Sequence, residues 1–197
     1  MKNNFSVPIT IRKTGHEPFT HNFNPLKFNL LDYWQWSSSD LLTNTNRGII
    51  AEFIIANAFG IAEGIKDEWL SYDLTTKDGI KIEVKASAYL QNWHQQQLSK
   101  IVFDIAPKQI WDPKTNSLSD SPARPSDLYI FSLLQHTDPL TVDVLNLDQW
   151  EFYILPTKIL NEKKPNQKSI TLSSLQKLNP TVSDFESLPS SLQAIKI

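Results

Sequence analysis

The sequence predicts an α/β fold, a central mixed β-sheet flanked by helices, on three observations. A hairpin pattern over residues 70–86 turns at Lys77-Asp78-Gly79, with apolar and charged residues alternating after the turn. A helix-like run over 47–59 precedes it and ends at Gly60, which suits the residue after a helix. A nearly continuous apolar segment over 127–134 follows, apolar enough to be a central strand buried on both faces.

The elements follow in order. Phe5, Val7, Ile9 and Ile11 alternate with small or polar residues and predict a strand, which Pro8 restricts to an edge. A polar and aromatic loop is expected over 14–36. Ser37 to Asp40 and Asn44 or Asn46 offer helix caps before the apolar run. In the hairpin, Ile80, Ile82 and Val84 alternate with Lys81, Glu83 and Lys85, so apolar and charged side chains part to opposite faces. Residues 101–105 predict another strand, and a Pro/Ser/Asp-rich loop over 107–125 separates it from the central one. Residues 141–145 and 150–155 read as a strand pair, with short helical turns near Thr157 and Ser173.

At 197 residues the chain is expected to form one domain over 1–197. Its core is placed at about 44–155, with an N-terminal strand and loop extension over 1–40 and a C-terminal tail over about 161–197 that docks or frays. Without cysteine there are no disulfides or thiolate metal sites, which is compatible with the expected cytoplasmic location. No apolar leader opens the chain, and its richest hydrophobic stretch, 48–64, carries Glu52, Asn57 and Glu63; neither signal peptide nor membrane span is expected. A net charge of −2 argues against a strongly cationic nucleic-acid binder. The distribution is uneven: residues 30–75 carry −5, whereas 1–29 and 150–177 carry +3 each. An acidic centre with basic flanks suits a metal site beside a polyanion, and equally suits a solvated surface.

The hairpin holds the sharpest chemical signal. If its loop is residues 77–79, Asp73 faces Glu83 directly, with Lys85 two residues on; a two-residue loop slips that pairing by one. Two carboxylates and an ammonium on one face can hold a divalent cation next to a phosphodiester. Mg²⁺ takes hard oxygen ligands, commonly one or two carboxylates plus substrate phosphate. A neighbouring lysine supplies fixed positive charge for the transition state. Upstream, Glu52 is the one charged residue between Gly48 and Ala62, and its neighbours three and four positions away are apolar. A helix so apolar is expected to be largely buried, where an ionised carboxylate requires a partner. That partner is Lys85, a metal shared with Asp73 and Glu83, or a structural cation such as Lys81 or Arg124.

These residues resemble the PD-(D/E)XK nucleases, the restriction-endonuclease-like phosphodiesterases. Glu83-Val84-Lys85 matches the E-x-K element, Asp73 the upstream aspartate, and Glu52 the glutamate many members carry on the preceding helix. The likeness covers roughly residues 44–134, and Tyr72 stands where the motif has proline. The resemblance implies a restriction-endonuclease-like central mixed sheet flanked by helices. It implies a catalytic set of Glu52, Asp73, Glu83 and Lys85, with Mg²⁺ (Mn²⁺ as a substitute) held by Asp73, Glu83, the Val84 carbonyl and Glu52. It further implies DNA as substrate with RNA left open, an endonuclease as the expected enzyme, and a homodimer if both strands are cut. The alternatives are a non-catalytic nucleic-acid-binding or protein-interaction module on the same scaffold, an exposed hairpin with weak surface ion pairs, and a structural ion cluster.

Other residues carry less. Gln91 and Gln95 are unanchored counterparts of a downstream glutamine in exonuclease-like branches. Trp34, Trp36 and Trp93 suit base stacking or anchoring, and Lys158, Lys163, Lys164 and Lys168 suit a DNA backbone or plain solvent. No phosphate-binding glycine loop, zinc spacing or nucleophile elbow is present.

Overall fold

The computed structural model describes residues 8–112 and 116–195. They fall into two compact units, one of residues 8–39 with Glu63–Asp67 and one of Asp40–Ala62 with residues 68–195.

In the smaller unit, β1 (Pro18–His21) and β2 (Asn24–Asn29) pair antiparallel around Asn22 and Phe23. Both turn residues have positive φ, 48° and 64°, as a two-residue hairpin requires. Helix α1 (Leu30–Ser38) starts at Asn29. The Asp32 amide donates to the Asn29 side chain at 3.0 Å, and the Asn29 amide donates to the Asp32 carboxylate at 2.7 Å. The expected 14–36 loop is therefore a hairpin and a helix. Residues 8–11 carry no strand, and residues 5–7 of the expected first strand lie outside the described residues.

The larger unit holds, in chain order, α2 (Asn44–Ala58), β3 (Leu74–Thr75), β4 (Lys81–Ala88), β5 (Val102–Asp104), β6 (Trp111–Asp112), β7 (Ser117–Leu118) and β8 (Leu128–Leu134). Then come β9 (Trp150–Pro156), α3 (Thr157–Lys163), β10 (Ser169–Thr171), α4 (Leu172–Gln176), β11 (Thr181–Ser183) and α5 (Leu188–Gln193). Five strands form the central sheet in the order β11-β9-β8-β4-β3. The β4/β8 pair is parallel and the others antiparallel, so the sheet is mixed, as the sequence predicts.

Alternation divides this sheet between two apolar layers. Ile82, Val84, Leu128, Ile130, Phe152 and Ile154 pack with Ala51, Ile54 and Ile55 of α2 and Leu188 and Leu192 of α5. Tyr129, Phe131, Tyr153 and Leu155 point the other way, onto Phe103, Ile105, Leu160, Ile170 and Leu175. The Phe103 and Phe131 rings meet edge-on, 5.1 Å between centroids. Each such side chain contributes about 1.5–3 kcal/mol by leaving water. All seven residues of β8 are buried, which accounts for its unbroken apolar sequence.

Several expectations change. Helix α2 turns Arg47, Ala51, Ile54 and Ile55 inward, while Ile49 and Phe53 are exposed; it is not buried all round. The 107–125 segment contains the β6/β7 pair and a bridge between Lys108 and Ala123. Residues 141–145 form turns rather than a strand, because the Asp138 and Asp143 carboxylates accept the Leu140 and Leu145 amides at 2.9 Å each. The C-terminal region docks: β11 covers the β9 edge, and α5 packs into the core. At the opposite edge β3 is only two residues long, so among the described residues much of β4 has no paired strand on that side.

Candidate active site

The site forms where β3 ends. Leu74 pairs with Ile82 and Thr75 with Lys81, so the next pair outward is Asp73 with Glu83. The Asp73 amide donates to the Ile82 carbonyl at 3.0 Å, and Thr76 and Ile80 close the turn at 2.9 Å around Gly79. The pairing is the one a 77–79 loop predicts, and directly opposed residues share a face. Past Leu74 the Asp73 side chain replaces strand backbone: its Oδ2 accepts the Val84 amide at 2.7 Å. The N–H and C=O of one strand residue point to the same side, so the Val84 carbonyl is turned toward this short edge.

Val84 packs its side chain against α2, whereas Glu83 and Lys85 project from the other face. Glu83 is 5% exposed, and its Oε1 accepts from Lys85 Nζ at 2.6 Å and Lys108 Nζ at 3.3 Å. Burial works against the charge on Lys85. The Glu83 carboxylate and its hydrogen bond outweigh that cost, with Asp73 and Asp104 adding to them, and the ammonium pKa ends above the ordinary lysine value. Lys85 is thus a standing positive charge at neutral pH. Tyr129 lies beside Glu83 in the parallel β4/β8 register; burial first, then the Glu83 charge, raises its pKa and keeps the phenol neutral.

Beside these groups a cleft of about 270 Å³ is lined by Trp69, Tyr72, Asp73, Glu83, Lys108 and Trp111, among others. A larger groove of about 760 Å³, at the β9/β11 side, carries Asp148, Glu151, Asp184 and Glu186 but no lysine or arginine. The smaller cleft is lined by the opposed carboxylates Asp73 and Glu83 and by the Lys108 ammonium.

The structure thus brings together Asp73, Glu83, Lys85 and the Val84 backbone. Glu52 is half-buried on α2, the helix that covers the Val84 side of the sheet. Among the described residues no three His, Cys, Asp or Glu side chains converge to hold an ion. The donors at the β4 edge are two carboxylates and a carbonyl. That set fits a hard cation that completes its shell with water and phosphate oxygens, as Mg²⁺ does.

Arg124, offered as an alternative partner for Glu52, is buried and committed elsewhere. It donates to the Ile105 carbonyl (2.8 Å), Asn161 Oδ1 (2.8 Å) and the Lys164 and Gln167 carbonyls (2.9 and 3.2 Å). Lys81, the other alternative, sits over the Tyr72 ring, 5.4 Å from its centroid. Gln91 accepts from Arg47 at 3.4 Å, and Gln95 ties the Gln91 amide to the Tyr89 carbonyl and Ser99, so both organise the loop after β4.

Sequence reasoning missed Lys108, Tyr129 and Asp104. Tyr129 was hidden in a run with no alternation to assign its face. Lys108 reaches the site only through pairing with Ala123, which no local pattern announces.

Among the described residues no helix is long and apolar enough to cross a membrane. A comparison with curated proteins returns no match. The family model for bacteriophage T4 endonuclease IV matches residues 27–174, a span that contains the Asp73, Glu83 and Lys85 cluster together with Lys108 and Tyr129. With most of its length matched, the chain belongs to the bacteriophage T4 endonuclease IV family and is a nuclease.

Proposed function

We propose that this nuclease hydrolyses DNA phosphodiesters in a divalent-cation-dependent reaction at a PD-(D/E)XK-type site. The observation that carries the reading is the meeting of Asp73, Glu83 and Lys85 at the edge of β4, with the Val84 carbonyl turned the same way. Asp73, Glu83 and that carbonyl would hold Mg²⁺ or Mn²⁺. When bound, the ion would supply positive charge at the phosphate and lower the pKa of its water, so that loss of a proton to solvent leaves hydroxide as the nucleophile.

The protein's own groups do the rest. Asp73 is fixed by the Val84 amide, so one oxygen is anchored and the other oriented. Lys85, hydrogen-bonded to Glu83 at 2.6 Å, is placed to orient the attacking water by donation and to stabilise charge building on the phosphoryl oxygens. Trp69, Tyr72 and Trp111 narrow the approach on the cleft side. Glu52, behind Val84 on α2, is proposed as an outer carboxylate of the same site.

The test is cleavage of labelled DNA, with an RNA arm, in Mg²⁺ and in chelator, by wild type, Glu83→Ala and Lys85→Ala. The proposal expects cation-dependent DNA cleavage lost in both variants with the fold retained. Equal cleavage by all three proteins refutes it.

A further inference from the structure

Lys108 presents a surplus. Glu83 is already neutralised by Lys85 at 2.6 Å, yet a second ammonium reaches the same Oε1 at 3.3 Å. The two lysines differ in how they are held. Lys85 projects from the middle of β4, with its side chain 18% exposed. Lys108 has a side chain 56% exposed and comes from a loop. A lysine pays rotamer entropy to hold one geometry, and an exposed pair returns little for it.

The backbone beneath Lys108 is nevertheless fixed with care. Lys108 and Ala123 exchange both amide hydrogen bonds at 2.9 Å. Arg124, next in the chain, clamps the Ile105 carbonyl and the end of α3. The loop therefore delivers a flexible cation from a rigid base to the rim of the cleft that Asp73 and Glu83 line.

Charge balance says what such a cation does. Asp73 and Glu83 together carry −2, which Lys85 and Lys108 cancel. A dication held by the two carboxylates would put an excess of positive charge beside Lys85, and the exposed ammonium is the one free to leave. A phosphate arriving at the same rim brings the negative charge that it can then meet.

We propose that Lys108 is an exchangeable cation of this site: it competes with the divalent ion for Glu83 and, once displaced, binds a phosphate oxygen of the DNA strand. This rests on the site proposed above. The proposal makes two predictions of opposite sign, which a purely structural ion pair does not.

The test compares wild type, Lys108→Gln and Lys108→Arg, with Asp73→Asn as reference. Calorimetric titration with Mn²⁺ alone should show Lys108→Gln binding about tenfold more tightly, the order expected for removing a unit charge beside a dication. DNA binding in Ca²⁺, measured against salt, should weaken, and the log–log slope should shrink by about 0.7–0.9 for one lost phosphate contact. Lys108→Arg should retain the wild-type slope. Unchanged or weaker Mn²⁺ affinity in Lys108→Gln overturns the inference, as does an unchanged salt slope. If wild type shows no Mn²⁺ binding sensitive to Asp73→Asn, the metal site itself fails and this inference with it. If that binding is intact and only Lys108→Gln departs from expectation, this inference fails alone.

Discussion

Replacing Lys85 with methionine keeps most of the stem and removes the ammonium, so it separates packing from charge. Both partners are enclosed, with side chains 18% exposed for Lys85 and 7% for Glu83. Removing one member of a fully buried pair costs about 3–5 kcal/mol, because the other charge is left behind. Here Glu83 keeps Lys108 at 3.3 Å, and Lys85 is partly wet, so the expected loss is about 2 kcal/mol. For a chain of this size that lowers Tm by about 4–8 °C. The effect on turnover should be larger. Deleting a fixed charge aimed at the transition state costs about 10²–10³ in kcat. Thermal melts establish a temperature at which the variant is folded, and single-turnover DNA cleavage in saturating Mg²⁺ is measured there. A variant with reduced Tm and wild-type turnover refutes the reasoning, because Lys85 would then be a structural partner of Glu83 alone.

Further outcomes follow from local features. Gly79→Ala should destabilise the hairpin by about 1 kcal/mol on thermal melts: φ is +86°, and a Cβ there meets nothing within 4 Å, so the penalty is backbone strain alone. Arg124→Met strands carbonyls of Ile105, Lys164 and Gln167 and should cost about 3–5 kcal/mol, with faster hydrogen exchange at the Lys108 and Ala123 amides. Thr14 and Gly15 amides donate to the Glu17 carboxylate, the Thr14 bond foremost, and hold its pKa at about 2. A depressed carboxylate stabilises above its unfolded value, near 4.3, and that contribution vanishes as pH falls through about 2; an NMR titration of the Glu17 side chain checks it. Lys85 runs the other way: its raised pKa means that its contribution is complete below the ordinary lysine value and lost only as pH rises beyond it. Thermal melts without divalent cation should accordingly show no loss from Lys85 until the pH passes the ordinary lysine value.

What the sequence disclosed was local. The Lys77-Asp78-Gly79 turn fixed the Asp73/Glu83 pairing because a three-residue loop has few conformations, and alternation along β4 then set the faces. The apolar run of β8 announced a central strand, but a strand buried on both faces has no alternation, so Tyr129 could not be assigned to the Glu83 side. The β1/β2 hairpin was missed because its turn is Asn22-Phe23, and phenylalanine rarely adopts positive φ. The Asn29/Asp32 capping box is the local sequence signal that starts α1. Residues 141–145 alternate like a strand, yet two aspartates capping nearby amides favour turns. Lys108 required long-range pairing across the 107–125 segment, and pairing of that kind leaves no periodicity to read.

Everything proposed for this nuclease turns on whether the short edge of β4 seats a divalent cation. Calorimetric Mn²⁺ titration of wild type against Asp73→Asn addresses it without relying on turnover. Asparagine can still accept the Val84 amide hydrogen bond while losing the carboxylate charge, so the fold should persist. The account predicts one site in wild type and an affinity lower by about tenfold or more in the variant, on Coulombic grounds. Identical isotherms for the two folded proteins would contradict it.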